Sequence, residues 1–288
     1  MSDNRNSTLG ILAGGGPLPG QVAQAALARG RSVLLLGFEG FADPAVLAPY
    51  PHVFVRLGAA GRIRELLHLH ACRDLVIAGA VRRPSMLDIR PDAFGVQVLG
   101  RIGRAAFAGD DTILSAIVRV LNEEGFVVRG VEEVLSEALA PAGLLTRAEP
   151  DAAARADIER GIAVVKALGG VDVGQCAVVQ QGIVLAVEAA EGTDQMLIRA
   201  ATLARPGPGG VLVKLVKPGQ DRRADLPTLG PETVRLAAAA GLRGIAFEAD
   251  GTLIIERDAT AAAADAAGLF LLGVNPAILP LTAQGERR

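Results

Sequence analysis

Short apolar runs alternate along the chain with stretches whose apolar positions recur at helical spacing, the pattern of strands interleaved with helices. In the first half, strands are predicted over Thr8–Ala13, Ser32–Phe38, His52–Arg56, Asp74–Ala80 and Phe126–Arg129. Helices are predicted over Gly20–Arg29, Ile63–Ala71, Ala93–Ala108 and Thr112–Glu124, with a short one at Val131–Leu139. This alternation predicts a parallel sheet with right-handed crossovers, a Rossmann-like α/β domain. Pro141–Pro150 breaks the periodicity with two prolines and a glycine. The chain therefore reads as an N-terminal nucleotide-binding domain over 1–140, a linker over 141–150 and a distinct C-terminal α/β domain over 151–288.

The second half opens on a helix over Asp151–Leu168. Ala177–Gln181 and Ile183–Ala189 flank Gly182 as a hairpin, and a helix follows over Thr193–Ala204 with Thr193 as its N-cap. Val211–Val216 is a strand, Glu232–Ala240 a helix. Ile245–Glu248 and Thr252–Glu256 flank Asp250-Gly251, the strongest hairpin signal in the chain. A helix over Thr260–Ala267 and a strand over Leu269–Val274 complete it.

Composition narrows the classes. Half of the 288 residues are apolar, enough for one or two substantial cores. The net charge of −2 gives no general attraction to nucleic acid, and the absence of Trp with a single Tyr removes base-stacking platforms. Cys72 and Cys176 stand alone, neither a disulfide framework nor a zinc pattern, so a reduced cytoplasm is the natural compartment. Mean hydropathy is high at +0.37. The uncharged stretches 6–28 and 266–285 are nevertheless broken by glycines and prolines, and neither reads as a membrane span.

Candidate chemistry concentrates in one loop. The Val211 strand ends at Lys217-Pro218-Gly219, and Gln220, Asp221, Arg222, Arg223 and Asp225 follow. Lysines and arginines there suit phosphate oxygens, and the carboxylates suit a divalent ion; a solvated charged turn is the competing reading. Lys214 and Lys217 are two of only three lysines, against twenty-six arginines. A compact ammonium at those two places fits the first reading.

Four further constellations lie at strand ends, where open α/β sheets bind ligands. Gly14-Gly15-Gly16-Pro17-Leu18-Pro19 joins a strand to a helix, so glycines could admit a phosphate to the helix N-terminus. Pro19 occupies the third glycine position of a dinucleotide fingerprint, although Glu39 could serve as a ribose-binding acid. Arg82 and Arg83 follow the Asp74 strand and could grip a diphosphate, or form an ordinary surface pair. Asp110 and Asp111 open a helix, as caps or as contacts to a metal or ribose. Glu188, Glu191, Thr193 and Asp194 cluster where a strand turns into a helix, a place to gather Mg²⁺ and phosphate. Asp194 alone could be a cap. Glu188 ends an apolar strand, where an unpartnered carboxylate is costly.

Five segments together resemble the UDP-2,3-diacylglucosamine pyrophosphatase family of lipid A biosynthesis, of the LpxI type. They are GILAGGGPLP at 10–19, GAVRRP at 79–84, GDDTIL at 109–114, AVEAAEGTD at 186–194 and VKLVKPGQDRRADLPTLGPET at 213–233. The resemblance implies hydrolysis of UDP-2,3-diacylglucosamine to UMP and 2,3-diacylglucosamine 1-phosphate, dependence on Mg²⁺ (or Mn²⁺), and a ligand held between two domains. It implies a cytoplasmic protein meeting the inner-membrane surface through its lipid; the charge balance adds no nucleic-acid partner, and a homo-oligomer is a further candidate partner. On this reading Asp225 is the essential carboxylate, as metal ligand or water-orienting base, with Asp221 and Glu188 as candidate metal partners. Lys214, Lys217 and Arg222 face phosphate oxygens near Thr193 and Asp194, and Gly14, Gly15, Gly16 and Leu18 approach the nucleotide. Two other classes remain: a non-catalytic lipid or sugar-nucleotide carrier, and an NAD-linked oxidoreductase.

Overall fold

A strand buried on both faces has no reason to alternate, and Val33–Phe38 is apolar or glycine throughout and buried throughout. It sits inside a five-stranded sheet in the computed structural model, which describes residues 7–81, 89–103 and 110–278, the last from 113 onward for side chains. The chain divides into two compact units, residues 1–136 with 220–225, and residues 137–219 with 226–288.

In the first unit the order along the chain is β1 (Thr8–Ala13), α1 (Leu18–Ala28), β2 (Val33–Phe38), α2 (Pro44–Leu47), β3 (His52–Val55), α3 (Ala60–Leu69) and β4 (Cys72–Ala78). Next come α4 (Ala93–Ile102), α5 (Asp110–Glu123), β5 (Val127–Arg129) and α6 (Val131–Val134). The sheet order is β3-β2-β1-β4-β5, and every pairing is parallel. This is the doubly wound arrangement expected from the alternation, with the order reversing between β1 and β4. Leu34, Leu36 and Phe38 pack with Ile63, Leu66 and Leu67 of α3 on one face of the sheet. Asp92 starts α4 by accepting the Gly95 N–H at 2.7 Å, and it ties α4 to α3 by accepting the Gly61 N–H at 2.9 Å.

The second unit runs β6 (Gly143–Leu144), α7 (Ala152–Gly169), β7 (Cys176–Gln180), β8 (Ile183–Val187), α8 (Gly192–Ala201), β9 (Val211–Lys214) and β10 (Thr228–Leu229). It ends with α9 (Pro231–Ala239), β11 (Gly244–Glu248), β12 (Leu253–Ile254), α10 (Arg257–Ala267) and β13 (Phe270–Val274). A six-stranded mixed sheet has the order β6-β13-β11-β9-β7-β8. Period-two alternation sorts its side chains into two cores. Ala177, Val211, Val213, Ala246 and Phe270 meet Ile158, Ile162 and Val165 of α7. Val178, Leu212, Ile245 and Phe247 meet Met196 and Leu197 of α8, and Val234 and Ala237 of α9, on the opposite face. Phe247 and Phe270, both fully buried, anchor opposite faces, each contributing roughly 1.5–3 kcal/mol over an exposed position.

Residues 141–150, expected as a linker, fall in the second unit. Gly143–Leu144 pairs antiparallel with β13, and the Thr146 hydroxyl accepts the Leu271 N–H at 2.9 Å. The hairpin expected at Gly182 forms, with β7 and β8 antiparallel and both turn residues at positive φ, Gln181 at 54° and Gly182 at 75°. The hairpin expected at Asp250-Gly251 does not. The turn is there, with Asp250 at φ 55°, but β11 lies between β9 and β13 and pairs with both. With no free edge to fold back on, the chain leaves the sheet, and Leu253–Ile254 pairs parallel with Thr228–Leu229 instead. Among the described residues no helix is long and apolar enough to cross a membrane.

Candidate functional site

Lys214 is the last residue of β9 and shares the face of Leu212, toward α8. Its side chain is only 4% exposed, and a buried ammonium needs a partner. That partner is Thr193, the second residue of α8, whose hydroxyl accepts from Lys214 Nζ at 3.0 Å. The same hydroxyl donates to Glu188 Oε1 at 2.7 Å. Glu188 is buried just past the end of β8, and its Oε2 accepts the Gln175 N–H at 3.0 Å. Cys176 opens β7 opposite Lys214 in register, with its sulfur 3.6 Å from the Thr193 oxygen. Burial, opposed by the nearby Lys214 charge, pushes the Cys176 thiol up to about 12. With the Thr193 proton directed at Glu188, the thiol is left to face a lone pair of the Thr193 oxygen.

The fold brings these groups together by ending three strands at one place. β9 ends at Lys214, antiparallel β7 begins at Cys176, and the Glu188 N–H donates to the Cys176 carbonyl at 3.0 Å. Gly192, at φ 79°, turns the chain into α8, and Glu191 rather than Thr193 holds the N-cap position. Asp194 lies exposed in the first helical turn. An ammonium with one of its three N–H groups on Thr193, beside a helix N-terminus, is suited to an anionic oxygen.

Lys217 belongs to a second arrangement. Its Nζ is 2.6 Å from Asp172 Oδ1, on the turn between α7 and β7. Asp172 Oδ2 and Gln175 Oε1, on the same turn, are buried acceptors with no hydrogen-bond partner among the described residues. Asp172, Gln175 and Cys176 are absent from the sequence-based set. No motif marks them, and only their positions against Lys217, Glu188 and Thr193 give them weight.

Asp221 and Asp225 lie in the segment grouped with the first unit. Asp221 accepts from Arg223 Nε at 2.9 Å and Nη2 at 2.7 Å. The Arg223 hydrogen bond, against the opposing effect of burial, holds its carboxyl below the usual carboxylate range. The Asp221 carbonyl accepts the Asp225 N–H at 3.1 Å, and Asp225 Oδ2 accepts from Gln220 Nε2 at 2.6 Å. Arg222 is exposed. A divalent ion needs several oxygens converging on one point. Among the described residues no three His, Cys, Asp or Glu converge in that way. The Glu188 carboxylate accepts from Thr193 and Gln175, and that of Asp221 from Arg223.

In the first unit the glycine turn closes upon itself. The Gly14 N–H donates to the Ala78 carbonyl and the Gly15 N–H to the Ala80 carbonyl, each at 2.8 Å. A Cβ on Gly14 would stand 2.6 Å from the Gly79 oxygen, so the glycine there lets the ends of β1 and β4 touch. Gly16, at φ 83°, has open space where a Cβ would be, and Leu18 is buried. Asp110 and Asp111 begin α5, but their side chains lie outside the described residues, as do Arg82 and Arg83 altogether.

Comparison with known proteins gives a match in each half. The LpxI N-terminal domain matches residues 8–138, and the LpxI C-terminal domain matches residues 141–272. The chain is 43% identical over 274 residues to the UDP-2,3-diacylglucosamine pyrophosphatase LpxI of Caulobacter vibrioides, covering 93% of this chain and 98% of that protein. Matched in both halves, in order and over nearly the whole of that relative, the chain belongs to the LpxI family.

Proposed function

We propose that this protein hydrolyses the diphosphate of UDP-2,3-diacylglucosamine, releasing UMP and 2,3-diacylglucosamine 1-phosphate for lipid A biosynthesis. The observation that carries the proposal is the 43% identity to a protein of that name across 98% of its length. The Lys214 arrangement supports it on chemical grounds. Breaking a diphosphate develops negative charge on phosphate oxygens, and a fixed, water-poor ammonium lowers the energy of that charge. On this reading Lys214 donates to a phosphate oxygen, while Lys217 and Arg222 serve the rest of the diphosphate. Asp225 is the key carboxylate, orienting the attacking water.

Dependence on Mg²⁺ or Mn²⁺ belongs to the proposal through the family resemblance. By that resemblance Asp225, Asp221 and Glu188 are the residues that would hold the ion, which would offset the charge developing on the phosphate oxygens. Cytoplasmic location, contact with the inner-membrane surface through the lipid, and nucleotide contacts from Gly14, Gly15, Gly16, Leu18, Asp110 and Asp111 are likewise proposed.

The test is release of UMP from UDP-2,3-diacylglucosamine by purified protein, with Mg²⁺ and then with EDTA, alongside Asp225→Asn. We expect release with Mg²⁺, its loss in EDTA, and a fall of about a hundredfold or more in Asp225→Asn, the scale for removing a positioned acid–base group. Folded wild-type protein that binds the substrate without releasing UMP would replace the enzyme with a carrier.

A further inference from the structure

Glu188 has the residue type and strand-end position of a metal ligand, yet its geometry assigns it elsewhere. One carboxylate oxygen accepts the Thr193 hydroxyl at 2.7 Å and the other accepts the Gln175 N–H at 3.0 Å. Thr193 has a single proton, and a carboxylate is acceptor-only. The short contact to Glu188 therefore fixes that proton, turning the hydroxyl's lone pairs toward Lys214 Nζ at 3.0 Å and Cys176 Sγ at 3.6 Å. The ammonium is thus held by an oxygen that has no freedom to rotate its proton toward it.

We propose that Glu188 is a positioning residue, acting through the Thr193 hydroxyl to hold the Lys214 ammonium in place, and not a metal ligand. This inference rests on the proposed hydrolysis for its kinetic consequence alone. The holding of Lys214 stands or falls without it. Glu188 also supplies the negative charge opposite a buried cation, bridged by the hydroxyl.

The chain offers a direct readout, because it has only three lysines, Lys166, Lys214 and Lys217. Lys166 lies at the surface and donates to the Pro276 carbonyl, so it serves as the internal reference. The full-length protein is acetylated with a small amine reagent, and the rate at each lysine is followed by mass spectrometry. In the wild type, Lys214 reacts far more slowly than Lys166. Thr193→Val and Glu188→Gln each raise the Lys214 rate relative to Lys166 by about tenfold or more, the scale of one lost charge-assisted hydrogen bond. Thr193→Ser keeps the hydroxyl and leaves the ratio within about twofold.

Steady-state kinetics of UMP release form the second arm. Glu188→Gln and Thr193→Val lower kcat by about ten- to a hundredfold with KM little changed. The double variant is no worse than the more impaired single one, because both break the same link. The Mg²⁺ concentration for half-maximal activity stays within about twofold of wild type. A role confined to fold stability would lower melting temperature without the serine rescue or this non-additivity. An unchanged Lys214 ratio in both variants overturns the proposal, as does a large rise in the Mg²⁺ requirement of Glu188→Gln. If Glu188→Gln does not fold, the Thr193→Val and Thr193→Ser pair decides. If the wild type releases no UMP, the proposed hydrolysis fails while the labelling still decides whether Lys214 is held.

Discussion

A threonine hydroxyl has one proton to give, and at Thr193 Glu188 takes it. That arrangement leaves the Cys176 thiol as a donor, consistent with its being pushed up to about 12 by burial; burial likewise pushes Cys72 up to about 11, against the opposing charge of Arg31. A raised thiol pKa makes thiolate scarcer at a given pH. Both thiols should therefore resist alkylation in the folded protein and react fully in denaturant, as Ellman titration would register. Rapid reaction of Cys176 without denaturant would contradict its burial against Thr193. At this scale the sequence made Lys214 visible by rarity and Glu188 visible by the cost of a carboxylate at the end of an apolar strand. It grouped Thr193 with Glu188, and the family resemblance set Lys214 near Thr193. The hydroxyl as the link between the two charges stayed hidden, because Lys214 reaches that cluster only through the pairing of β7 with both β8 and β9. Asp172 and Gln175 were equally silent, each being an ordinary polar residue in a loop.

At the scale of elements, the β7–β8 hairpin depends on a residue from a different element. Asp157 of α7 is 2% exposed and accepts the Gln181 N–H at 3.1 Å and the Gly182 N–H at 2.7 Å. Arg243 Nη2 lies 3.5 Å from the same carboxylate. Asp157→Ala leaves two turn N–H groups and a guanidinium without that acceptor. Unfolding in urea should show a loss of about 2–4 kcal/mol, the scale of removing a buried carboxylate from several donors. A loss below about 0.5 kcal/mol would mean that the turn forms without it. Gly182 announced this hairpin in the sequence, whereas Asp157 did not, because helical spacing alone cannot tell a buried acid from a solvated one. The Asp250-Gly251 signal shows the complementary limit. Local turn chemistry was read correctly, but pairing is decided by which strand edges are open, and β11 has none.

At the scale of the whole molecule, alternating strands and helices made the doubly wound N-terminal sheet legible, because parallel strands buried on both faces read as continuous apolar runs. The C-terminal unit was legible only as mixed α/β. Its sheet takes in Gly143–Leu144 from a stretch without periodicity, and a two-residue strand carries no periodic signal. Spaced motifs across both halves pointed to the LpxI family, and matches over 8–138 and 141–272 bear that out. The proposed reaction is cleavage of the diphosphate of UDP-2,3-diacylglucosamine by water. Its most direct test is turnover in ¹⁸O-labelled water, with UMP and 2,3-diacylglucosamine 1-phosphate quantified by mass spectrometry. Equal amounts of the two products, with one labelled oxygen in one of them, is the predicted result. Unlabelled products, or UMP formed without the lipid phosphate, would contradict hydrolysis of that bond.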